Sequence, residues 1–151
     1  MHFYTNILVI QKKSVLLPPE MIIKQIDHKP YVLCPWRRKY VKWTPEEQVR
    51  QSFLTYLVEQ CGYTAAHIAV EVPLSNGQRA DAIIYDDMLR PRMVIECKAS
   101  DVPLTQQTLD QVAVYNRLLG AEYLVLHNGI RTIATRVSEQ HFEFLEELPQ
   151  V

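Results

Sequence analysis

The chain has 151 residues, 48% hydrophobic and 22% charged, with a net charge of −1, which is one domain's length with enough apolar surface for a core. That balance excludes a disordered polyelectrolyte, and no whole-molecule basic field announces a nucleic-acid binder. Apolar runs such as NILVI (6–10) and SVLLPPEMII (14–23) are too short or too interrupted to span a bilayer, and the N-terminus lacks the order of a signal peptide, so no membrane contact and a cytoplasmic location are expected.

In chain order, residues 1–30 read as an N-terminal extension of unassigned structure, broken at Pro18 and Pro19 and ending in the turn DHKP (27–30); residues 31–151 read as a single domain. YVLCP and RRKYVKW predict a short hairpin. Its RRKYVK run (37–42) packs Arg37, Arg38, Lys39 and Lys42 together, either a basic contact surface or a solvated edge strand. TPEEQVRQSFLTYLVEQCG (44–62) predicts a helix, with Thr44 as N-cap, Pro45 in the first turn, Gly62 as stop, and Val49, Phe53, Leu54 and Leu57 on one face. HIAVEVPL (67–74) predicts a strand followed by the turn SNGQ; RADAIIYDD and RMVIECKA predict two more, joined by MLRP. LTQQTLDQVAVYNRLLG (104–120) predicts a second helix, with Thr105 as cap and Gly120 as stop. AEYLVLHNG and IRTIATRV (121–137) predict a strand, an Asn128–Gly129 turn and another strand; SEQHFEFLEEL (138–148) predicts a short amphipathic helix. This order indicates an α/β fold, a mixed central sheet with a helix on each face.

Cys34, Cys61 and Cys97 are odd in number and lack CxxC spacing, and the five histidines form no HxxxH cluster. Any metal is therefore expected on oxygen. Strand side chains alternate, so Glu96 and Lys98 share a face while Cys97 points away. If 79–85 and 92–97 are hairpin partners, Asp81 comes close to Glu96. Two facing carboxylates repel, so one must take up a proton or a cation must sit between them. Their oxygens, with a backbone carbonyl and water, suit Mg²⁺ or Mn²⁺, and Lys98 could orient water or hold a phosphate oxygen. The bland alternative is a solvated Glu–Lys pair with Asp81 opening a turn.

Asp81…Glu96-Cys97-Lys98 resembles the PD-(D/E)xK nuclease motif, with RAD where PD usually stands. TPEEQVRQ, ADAIIYD, IECKA, QVAVYN and LVLHNG, in that order, resemble the N-terminal nuclease domain of type I restriction enzyme R subunits, over residues 30 to 137. The likeness is to small, free-standing members of that family. It implies a restriction-endonuclease-like core and a Mg²⁺- or Mn²⁺-dependent deoxyribonuclease, with Asp81 and Glu96 on the metal. It also implies an acid from the first helix: Glu47 is preferred over Glu46, although Thr44-x-x-Glu47 can instead close a capping box. Gln111 and Tyr115, four apart on one helical face, resemble the QxxxY motif of RecB-like members, which supports the site and contacts nucleic acid. Arg37, Arg38 and Lys39 are expected to contact DNA as well.

No GxxxxGK[ST] loop is present, so any motor or specificity function would come from a separate subunit, and a homodimer would suit double-strand cleavage. A second reading keeps the fold without catalysis, as a nucleic-acid-binding or assembly module.

Overall fold

The computed structural model describes residue 10, residues 21–139 and residues 141–151. Most of the expected N-terminal extension, including its Pro18–Pro19 break, lies outside the described residues. A small antiparallel sheet comes first, in the order β1 (Ile23–Ile26), β2 (Lys29–Cys34), β3 (Lys39–Lys42). β2 and β3 form the hairpin that the sequence predicts. β1 joins it through a two-residue turn in which Asp27 and His28 both have positive φ, as such hairpin turns require.

Helix α1 (Pro45–Glu59) follows, capped by the Thr44 Oγ1 that accepts the Glu47 N–H at 3.1 Å. Gly62, at φ +81°, turns the chain out, and the Tyr63 N–H bonds back to the Leu57 carbonyl. The main sheet then runs β4 (Ile68–Pro73), β5 (Arg79–Tyr85), β6 (Pro91–Cys97), β7 (Tyr123–His127), β8 (Thr132–Ser138), β9 (His141–Leu145), in that spatial order. Only β6 and β7 are parallel, and α2 (Gln106–Leu119) makes the crossover between them.

The strand period sorts the core into two halves. Ala82, Ile84, Met93, Ile95 and Cys97 pack under α1 with Val49, Phe53, Leu54 and Leu57. Ile83, Val94, Leu124 and Leu126 pack under α2 with Leu109, Val112 and Tyr115. The layered α/β arrangement is the expected one. No helix among the described residues is long and apolar enough to cross a membrane.

The chain's end differs from expectation. Where the sequence predicts a helix over 138–148, β9 extends the sheet by pairing antiparallel with β8, with Phe144 opposite Thr135 and Phe142 opposite Val137. The reason is the period: Phe142 and Phe144 alternate with charged or polar neighbours and lie toward the α2 side, while Leu145 lies toward the α1 side. Two aromatics two apart beside an open β8 edge favour strand over helix.

Candidate functional site

β5 and β6 pair Ala82 with Ile95 and Ile83 with Val94. Asp81 and Glu96 each lie one residue beyond the Ala82–Ile95 pair, where that ladder ends. The Asp81 Oδ2 accepts the Cys97 N–H at 2.8 Å. Glu96 is held from both sides: the Tyr115 hydroxyl donates to Oε2 at 2.7 Å, and the Lys98 Nζ lies 3.4 Å from Oε1. Two acids and an amine from adjacent strands therefore converge at the sheet's rim.

The electrostatics follow from that crowding. Burial first, then the Glu96 charge, pushes the Asp81 carboxyl up to about 7; Glu46 adds to the rise, while the Cys97 N–H and Arg50 oppose it. Near neutral pH this acid is thus poised between its two forms. Burial and the same Glu96 carboxylate push the Tyr115 hydroxyl far up, so it remains a hydrogen-bond donor. The Cys97 thiol, fully buried on the opposite face, is likewise pushed well up, chiefly by burial and then by Asp81, and stays neutral.

Helix α1 delivers a charge network from the other side. Glu47 is 3% exposed, and its carboxylate accepts from Arg37, from the Arg50 Nε at 2.9 Å and Nη2, and from the Gln51 Nε2 at 3.0 Å. The capping interaction with Thr44 runs in one direction: Glu47 gives its N–H to the cap, but its carboxylate turns to these cations. Arg50 also bonds the Glu71 Oε1 and stands 3.4 Å from the Asp81 Oδ1. Burial alone would lower the Arg50 pKa, yet Glu47, Glu71 and Asp81 raise it, so the guanidinium is permanently charged.

Arg50, Glu71 and the electrostatic reach of Glu46 are what sequence reasoning missed. Arg50 had a local signal, because it lies three residues after Glu47 on the helix. Glu71 had one too, as a lone acid inside the apolar strand AVEVP. It sits at φ +55° and is skipped in the ladder between Val70–Ala82 and Val72–Ala80, which places it across from Asp81. Such a conformation is costly for a non-glycine residue and persists only where its surroundings fix it.

Of the remaining candidates only Arg37 joins this cluster. Gln111 is exposed on α2, one turn before the buried Tyr115. Arg37 is drawn inward to Glu47, while Arg38 and Lys39 are exposed on the β2–β3 turn and its edge. A cavity of about 390 Å³ opens beyond Lys98, between Gln48 and Ser52 of α1, Ser100 and Asp101, and it includes neither Asp81 nor Glu96.

Among the described residues, no three Asp, Glu, His or Cys side chains stand arranged as a ready cage for a metal. The donor chemistry nevertheless fits a hard divalent cation: Asp81, lifted toward protonation by burial and then by the Glu96 charge, is a carboxylate that such an ion would relieve.

A family model described as the type I restriction enzyme R protein N terminus matches residues 45–149. A search of curated proteins finds no match. Among solved structures, the chain is similar to one described as a cryoEM structure of a DrdV–DNA complex, at 16% identity and a TM-score of 0.42. The match covers 68% of this chain and 10% of that one, so the chain spans about a tenth of that protein's length.

Proposed function

As the chain belongs to the type I restriction enzyme R protein N-terminal family, we propose that it is a restriction-related nuclease, with a PD-(D/E)xK core that hydrolyses DNA phosphodiester bonds with Mg²⁺ or Mn²⁺. One observation carries this reading: the Asp81 carboxylate accepts the Cys97 N–H at the end of β6 and feels the Glu96 charge, with Lys98 beside Glu96. The ion, when bound, neutralises charge on the phosphate and lowers the pKa of water. Asp81 and Glu96 would hold it, each pre-oriented by a neutral donor, the Cys97 N–H and the Tyr115 hydroxyl. Lys98, 30% exposed at its side chain, holds a phosphate oxygen or orients the attacking water.

In this reading Glu46 is the acid that α1 offers to the site, because its charge acts on Asp81 while the Glu47 carboxylate is already taken up by two guanidiniums and an amide. Glu47 then anchors Arg50 and Arg37. Tyr115 acts through Glu96, and Gln111 remains available to nucleic acid.

Incubating plasmid and linear DNA with the protein and Mg²⁺ or Mn²⁺ tests the reading. Cleavage is expected, and it should disappear in Asp81→Ala and Lys98→Ala. Unchanged cleavage in those variants refutes the assignment. The second reading, a non-catalytic binding module, is favoured by Arg50, whose guanidinium already gives Asp81 and Glu71 a cation. Calorimetric titration with Mn²⁺ separates the two, because only the nuclease requires a site lost in Asp81→Asn.

A further inference from the structure

Charge is unevenly placed along this chain. Residues 21–43, which hold the small sheet, carry six Lys and Arg against one Asp, a net of +5; residues 44–151 carry eight against fifteen, a net of −7. A near-neutral total thus hides a basic module joined to an acidic body.

The register of the small sheet shows where that charge points. Lys24, Tyr31 and Lys42 form one cross-strand row, and Leu33 and Tyr40 form the next row on the same face. Lys29, two residues before Tyr31, shares that face. The alternate residues Val32 and Cys34 are fully buried, so this face looks away from the core. Lys24, Lys29 and Lys42 are exposed and Tyr31 and Tyr40 half-buried, and the Lys24 Nζ lies 3.9 Å from the centroid of the Tyr40 ring. None of the three lysines enters an ion pair among the described residues.

The face is also tied to the acidic site. β3 ends at Lys42, two residues before the cap of α1, and Arg37 from the β2–β3 turn bonds Glu47.

We propose that this outward face of β1–β3 is a platform for a single nucleic-acid strand, with phosphates against Lys24, Lys29 and Lys42 and bases against Tyr31 and Tyr40. Lysines outside any ion pair supply the sequence-independent attraction to phosphate, and tyrosine rings stack on any base. The proposal takes its partner's class from the nuclease reading but does not need the site to cleave.

Fluorescence anisotropy with labelled oligothymidine, in EDTA and over a range of salt, tests it on the full chain. For wild type, log K should fall steeply with log salt. In Lys24→Ala/Lys29→Ala/Lys42→Ala the slope should shrink by about 2, at about 0.7 for each phosphate of a single strand that is no longer neutralised. Tyr40→Ala should weaken binding about tenfold and leave the slope unchanged. All four side chains lie on the outward face, and circular dichroism confirms folding of each variant.

The proposal is overturned if the triple variant keeps wild-type affinity and slope. It is equally overturned if duplex binds as tightly as single strand without dependence on Tyr40, or if only anionic phosphatidylserine vesicles are bound. Lysine-dependent binding in a protein that never cuts DNA would sustain the platform while the nuclease reading falls.

Discussion

One residue along β5 and β6 separates two kinds of chemistry. The Ala82–Ile95 pair is fully buried, apolar and packed under α1, whereas the next residue along each strand is an acid, Asp81 and Glu96. The apolar pair fixes geometry through close packing and offers no reactivity. The acidic pair stands at the first position where the sheet's rim admits other groups, so it inherits the strands' rigidity and a partial loss of water. That loss lifts the Asp81 carboxyl to about 7. A precise site here needs no flexible loop, because the core pair beside it does the aligning.

The sharpest way to break this contrast is to remove reactivity without touching packing. Lys98→Ala is expected to reduce DNA cleavage about a thousandfold, worth about 4 kcal/mol in the barrier, with the melting curve unchanged; plasmid nicking and circular dichroism report the two quantities. Arg50→Met should do the reverse at first, costing about 3 kcal/mol in denaturant unfolding because Glu47 and Glu71 lose a buried partner. Adding Glu47→Gln should recover part of that loss, and a lack of recovery would show that Arg50 stabilises by packing alone. Ile95→Ala, on the apolar side of the divide, should cost about 3 kcal/mol through its cavity and, because that pair aligns the acids, lower cleavage per folded molecule as well, though far less than Lys98→Ala does.

The smallest effect concerns pH. The folded chain keeps the Asp81 proton up to about pH 7, while the unfolded chain releases it near 3.8. Asp81 therefore contributes stability that is full below about pH 4 and is lost as pH rises through 7. A full three-unit shift would carry about 4 kcal/mol, and local relaxation and water access reduce this to about 2 kcal/mol. Urea unfolding of wild type and Asp81→Asn between pH 4 and 8 checks this: the variant should lack the slope.

Much of this is legible in the order of the amino acids alone. Thr44 and Thr105 cap their helices, Gly120 ends α2 at φ +67°, and Asn128–Gly129 turns the chain between β7 and β8. Gly129 is required there, since its φ is +90° and an added Cβ would meet the Ser100 Oγ at 2.9 Å. These are local signals, read from neighbours in sequence. The convergence of Asp81, Glu96 and Lys98 was legible too, because a hairpin register and the strand period are enough to bring them together.

What sequence concealed was non-local or ambiguous. The Glu47 carboxylate is drawn partly by Arg37, ten residues away on a different element, and partly by Arg50 and Gln51 on its own helix, against a local capping rule that points elsewhere. Glu71 acquired its place from an irregular ladder, which no composition encodes. The last strand was lost because its short apolar pattern satisfied both periods, and only the open flank of β8 decides between them.

The kink at Glu71 also bears on how copies of the chain behave toward one another. β4 is an outer strand of the main sheet, and an outer strand with a regular row of free amides and carbonyls invites a second molecule to zip onto it. With its backbone reversed at Glu71 and a charged side chain planted there, that row is interrupted in mid-course. The same distortion that turns a carboxylate toward Arg50 thus guards the molecule against fibril-like stacking at that flank.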